Sequence, residues 1–124
     1  MLELILRGRV APNVLRAFPN LTRPFREDPH VVFAFVMRQE HDIPLGTTFR
    51  TMGLGANGQE VTEHYRLVAI SQQYDHPMDE IPHGWKTICA FRGLEPGPRL
   101  MMGLPPVGEW YEQSVTELVL RAEP

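Results

Sequence analysis

The sequence is poor in cysteine, in net charge and in long apolar runs. Cys89 is the single cysteine among 124 residues, so the chain holds no disulfide framework and no thiolate metal cluster. A lone thiol suits a reducing, cytoplasmic setting. The formal net charge is −3, which gives no overall support to nucleic-acid binding; any basic patch must be local. No run approaches the ~18 apolar residues a membrane helix needs, so no membrane partner is expected. The opening stretch Met1–Arg9 alternates and is broken by Glu3, Arg7 and Arg9, unlike a secretory leader. Lysine is nearly absent too: eleven of the twelve basic residues are Arg. Arg suits phosphate forks and base stacking better than Lys does, although a GC-rich genome produces the same bias and is the simpler explanation. Residues 1–66 hold eight Arg and seven acids, whereas residues 67–124 hold four basic residues and eight acids.

Punctuation is abundant instead. Twelve prolines and ten glycines divide the chain into short pieces, which favours strands and loops over long helices. The length indicates one domain, residues 1–124. Leu2–Val10 alternates, with Leu2, Leu4, Leu6 and Val10 on one face, Glu3, Ile5, Arg7 and Arg9 on the other, and Gly8 at a bend. Ala11–Pro29 carries four prolines and reads as loop or short turns. His30–Gln39 is apolar on both faces and therefore central. Thr47–Leu54 and Val61–Ser71 flank a turn containing Asn57-Gly58, a hairpin signal, and this hairpin is expected to project as an arm.

Within Val61–Ser71 one face reads Val61, Glu63, Tyr65, Leu67, Ala69 and the other Thr62, His64, Arg66, Val68, Ile70. The stretch begins half-exposed and ends apolar on both sides. Gln72–His83 is polar and has room for one helical turn. Gly84–Gly93 is the next strand, a short strand is expected at Arg99–Met102 within a Pro/Gly-rich loop, and Ser114–Ala122 closes the chain. Five principal strands with a helical turn between the third and fourth fit an all-β, OB-fold five-stranded barrel with an extended hairpin arm. A split sandwich or an SH3-like barrel accommodates the same pattern.

Signals for catalysis are weak. Asp75–His83 packs two His and three carboxylates into nine residues, but no standard metal-ligand spacing is met, and Pro77 and Pro82 prevent a helix from aligning them. Cys89 lies mid-strand, where an inert buried thiol is expected. Gly53–Gly58 lacks the phosphate-cradling pattern. Neither an enzyme nor a cofactor is expected.

Several stretches, taken in order, resemble a family. L-I-L-R-G-R-V with P-N-V-L-R-A-F-P-N behind it, H-V-V-F-A-F-V-M, T-E-H-Y-R-L-V-A-I, H-G-W-K-T-I-C-A-F-R-G-L and V-T-E-L-V-L-R-A-E are similar to successive strands of the bacterial single-stranded-DNA-binding protein superfamily, which includes primosomal replication protein B. His64 stands where that family often places a stacking tryptophan, and no acidic tail follows the last strand. The resemblance implies sequence-independent binding of single-stranded DNA in replication or recombination, by base stacking within a cationic groove. It also implies homo-oligomers, dimers or tetramers, and replication or recombination proteins as further partners. The residues of this chain that could supply such a groove are Arg7, Arg9, Phe49, Arg50, His64, Arg66, Trp85 and Lys86. Arg38 is a weaker candidate, and the pair Trp110-Tyr111 compares with Phe49-Arg50 but reads equally as an aromatic lid on the barrel end. The competing reading is a small β-barrel assembly module with no nucleic-acid function, since an apolar strand edge can pair with a neighbour.

Overall fold

A computed structural model describes residues 2–37, 39–97, 99–109 and 116–124. Arg38, Trp110, Tyr111 and the start of the expected last strand lie outside the described residues. The first strand, β1 (Glu3–Leu6), alternates as its sequence dictates, with Leu4 and Leu6 fully buried. It stops short of Val10 because Gly8 lies against the end of another loop. A Cβ on Gly8 would sit 2.0 Å from Val107 Cγ2. The chain resumes as β2 (Arg9–Val10), which has different neighbours.

Pro12, Pro19 and Pro24 occupy the first positions of short helices, where a missing N–H is harmless. These are α1 (Pro12–Leu15), α2 (Pro19–Thr22) and a 3-10 turn at Arg23–Phe25. The remaining strands are β3 (Val31–Val36), β4 (Ile43–Pro44), β5 (Thr48–Leu54), β6 (Glu60–Ser71), β7 (Pro77–Met78), β8 (Glu80–Ile81), β9 (Thr87–Gly93), β10 (Pro106–Val107) and β11 (Leu118–Ala122).

The main sheet runs β1-β11-β5-β6-β9-β3-β2-β10, with β7 alongside the end of β6. This order forces curvature. β1 and β2 lie near opposite ends of the row, yet two residues join them. Leu6 and Arg9 are three Cα steps apart, at most about 11 Å, so the sheet must curl until its ends approach, and β1 does lie against β3. The result is an all-β, curled open sheet resembling a barrel. Its inner face carries the main core, including Leu4, Leu6, Phe49, Tyr65, Leu67, Phe91 and Leu120. A second core forms on part of the outer face, where Phe18 and Leu21 cover Val10, Phe35, Ile88 and Val107. Val10 thus leaves the face of Leu4 and Leu6, because the break at Gly8 carries it to the other side of the sheet.

The hairpin β5/β6 is anchored in the sheet at its base, where β11 pairs Phe49 and Arg50 and β9 pairs β6 from Tyr65 onward, while the ladder Met52–Leu54 on Glu60–Thr62 continues beyond them with Gly53 close under Leu100. Three expectations change. No helical turn occupies 72–83. That segment instead extends two short ladders, β7 on β6 and β8 on β4, and the helical turns fall between the first and second principal strands. Arg99–Met102 is not a strand; the chain forms a 3-10 turn at Leu100–Gly103. Finally, β6 is irregular between Leu67 and Ala69. A bulge there inserts one residue and reverses the alternation, so Ile70 joins Leu67 in the inner core rather than sharing a face with His64 and Arg66.

Candidate nucleic-acid interface

The bare part of the outer face lies on β11, β5, β6 and β9. Side chains two apart on one strand share a face, so register decides which of them become neighbours. Arg121 opposes Arg50, and Arg50 opposes His64. One step along, Thr48 opposes Arg66, and Arg66 opposes Arg92. Four arginines from four strands therefore share one surface. Two of them are neutralised. Arg121 Nε is 2.8 Å from Glu3 Oε2. Arg92 donates from Nη2 and Nε to Asp28 Oδ2 at 2.8 and 3.1 Å. Arg50 and Arg66 are exposed and have no ion-pair partner among the described residues.

The surface continues onto aromatics. The Arg92 guanidinium lies 5.8 Å from the Phe25 ring centre, and Phe25 packs edge-on against Phe33 at 6.4 Å. Both rings are half-buried. Asp28 joins this cluster to the backbone. The His30 N–H bond chiefly holds its carboxyl below the ordinary carboxylate range; burial opposes this and Arg92 adds to it.

His64 is held between two carboxylates. Its backbone N–H donates to Glu95 Oε2 at 2.9 Å. Nδ1 of the ring contacts Glu95 Oε1, and Nε2 lies 3.4 Å from Glu123 Oε1. Burial tends to raise the Glu95 pKa, but the backbone and imidazole of His64 outweigh it and leave the carboxyl below its ordinary range. The ring is thus engaged at both nitrogens. On the inner face, Glu63 and Tyr65 hold the 3-10 turn: Leu100 N–H donates to Glu63 Oε1 at 2.8 Å and Met101 N–H to the Tyr65 hydroxyl at 3.2 Å. Burial first, and the bond to Glu63 second, push the Tyr65 pKa far up.

The eight residues singled out from sequence do not form one groove. Arg50, His64 and Arg66 do come together. Arg7 shares the outer face but is paired with Glu117 at 3.0 Å. Arg9 is half-buried, and its Nε donates to Leu104 O at 2.9 Å. Phe49 is fully buried against Phe91, so no ring face is open to a base. Trp85 and Lys86 are exposed but precede β9, at the far end of that strand from Arg92, roughly 20 Å away by strand rise. Sequence reasoning overlooked Arg92, Arg121 and Phe25. Arg92 alternates with Ile88 and Ala90 along β9, but nothing local reveals that Arg66 stands opposite.

The two alternative chemistries have little geometry behind them. Asp75, in the left-handed region at φ 58°, accepts the N–H groups of Asn20 and Leu21 at 3.0 and 3.2 Å and so fastens α2 to this loop. His83 is bonded to Asp42. Among the described residues no three His, Cys, Asp or Glu side chains are grouped to hold a metal. Burial pushes the Cys89 thiol up to about 12. No described helix is long and apolar enough to cross a membrane. No family model, curated protein or solved structure matches the chain.

Proposed function

We propose that the protein binds single-stranded DNA, largely without sequence preference, across the outer strip Arg50–Arg66–Arg92 and the adjoining Phe25 ring. The observation that carries this reading is the direct opposition of Arg66 and Arg92 across the β6–β9 ladder. Like charges facing each other on adjacent strands destabilise a sheet. Asp28 neutralises Arg92, but Arg66 and its neighbour Arg50 have no anion beside them among the described residues, and a phosphate between them would supply one. Phe25 offers a flat ring at the end of the strip, the second element such binding needs.

The curled sheet supports an OB-like barrel as the underlying architecture. The departures are a sixth principal strand and helical turns that fall between the first and second strands. The acids Glu95, Glu123 and Glu3 around the strip keep the affinity modest. Roles in replication or recombination follow from the family resemblance alone.

The test is anisotropy of a labelled oligo-dT titrated with the whole chain at two salt concentrations. Two phosphate contacts, at Arg50 and Arg66, give a log–log salt slope of about −1.4. No binding at low salt and micromolar protein sinks the proposal, and salt-independent binding removes the cationic strip from it.

A further inference from the structure

His64 joins two carboxylates that reach it from different elements. Glu95 comes from the loop after β9. One of its oxygens accepts the His64 backbone N–H at 2.9 Å, and the other contacts ring Nδ1. Glu123 comes from the opposite side. It follows the Ala122–Phe49 pair, and its N–H donates to Thr48 O at 2.8 Å. Glu123 is therefore level with Thr48, yet its carboxylate lies 3.4 Å from His64 Nε2. The side chain must cross β5 obliquely, toward the cell bounded by Thr48, Arg50, His64 and Arg66. A phosphate shared by Arg50 and Arg66 would enter that same cell.

The two contacts of the ring place different demands on its protons. An imidazolium donates from both nitrogens, whereas a neutral imidazole donates from one and presents a lone pair at the other. The backbone N–H of His64 fixes Glu95 in either state, so Nδ1 keeps its proton. Loss of the second proton then turns a lone pair on Nε2 toward the Glu123 carboxylate, and that contact becomes repulsive. The other groups facing His64 are Arg50 across the ladder, Thr62 and Arg66 along β6, and Leu94, whose N–H donates to His64 O. Arg92 lies on the diagonal and is held by Asp28. Arg50 and Arg66 have no ion-pair partner among the described residues. They are the cations open to a released Glu123. Imidazoles change charge between about pH 5 and 8.

We propose that His64 is a proton-operated switch on the cationic strip. Charged, it holds Glu123 and leaves Arg50 and Arg66 to an external anion. Neutral, it releases Glu123 onto those arginines, where the carboxylate competes with phosphate. Loss of the imidazolium's own charge acts in the same direction. His64 and Glu123 are thus positioning residues. The proposal rests on reading the strip as a phosphate site.

The test has two arms. In the first, NMR follows the His64 ring and the Arg50 and Arg66 side chains of the free protein between about pH 8 and 6. The arginine signals should move together with the His64 ring in the wild type and stay still in E123Q and H64Q. In the second, anisotropy of labelled oligo-dT is measured at both ends of that range at constant salt. The wild type should bind about fivefold tighter at the lower pH. H64Q should lose most of this dependence, and E123Q should gain affinity at the higher pH. His30, bonded to Asp28 through its N–H and touching Arg99 with its ring, is the other imidazole near Arg92. A pH dependence unchanged in H64Q would assign the effect there and overturn the proposal. Arginine signals that still move in E123Q, or an E123Q that binds no better than wild type at the higher pH, would overturn it too. Absence of oligo-dT binding at both pH values, with the arginine response intact, sinks the DNA reading and upholds the switch. Absence of that response overturns the switch whatever the DNA result.

Discussion

Arg66 faces Arg92 and stands beside Arg50, so its charge is a liability to the free sheet and an asset to an anion. Arg66→Ala should therefore lower oligo-dT affinity by several-fold and reduce the salt slope by about 0.7. It should leave the melting temperature unchanged or slightly raised, because a like-charge pair is removed. A variant that melts early would make Arg66 structural. Cys89 illustrates the opposite case. Fully buried beside Thr87, with its thiol pushed up to about 12, it should resist alkylation at pH 8 in the native protein and react fully in denaturant. Rapid native alkylation would show that the β3–β9–β6 core opens. Phe49 shows what was legible and missed. Consecutive residues of a strand point to opposite faces, so Phe49 and Arg50 could not both be exposed on one surface. Their own alternation was the available signal.

The elements depend on a few close approaches. Gly8 separates β1 from β2 by letting Val107 pass, and Gly8→Ala should destabilise the fold by about 1–3 kcal/mol through overpacking, measured by urea unfolding. An unchanged midpoint would mean that β10 yields without loss. Asp75 fastens α2 from a loop more than fifty positions away in sequence, through the N–H groups of Asn20 and Leu21. Asp75→Ala loses these acceptors and should lower stability by roughly 1–2 kcal/mol, as for other helix caps. The acidic loop thus has a structural duty that its composition did not disclose. Strand existence was largely readable from alternation and proline spacing, and the hairpin from Asn57-Gly58. The bulge after Leu67 was not, because no residue in V-A-I marks where an extra position enters the ladder.

At the scale of the molecule, Glu95, Asp28 and Asp42 all hold carboxyl pKa values below their ordinary 4.5, 3.8 and 3.8. Asp42 owes this first to the His83 backbone N–H and then to its ring. With folded values below unfolded ones, the native state binds fewer protons than the unfolded chain at a given acid pH. Stability from these groups is complete above about pH 4.5 and is lost as pH falls through the folded values. Urea midpoints measured from pH 7 to 3 should decline below that point; a flat profile would detach these hydrogen bonds from stability. The sequence by itself determined the apolar/polar alternation along most strands, the hairpin turn at Asn57-Gly58 and that long helices are excluded. These properties follow from neighbours along the chain, through the two-residue pleat and the fixed φ of proline. Tertiary structure alone decided that Leu2–Val10 splits between two ends of one sheet, that β5 lies inside it, and that Arg50, Arg66, Arg92 and Arg121 converge. Those outcomes depend on which strands pair and at what register, and register joins residues whose separation in sequence leaves no local trace.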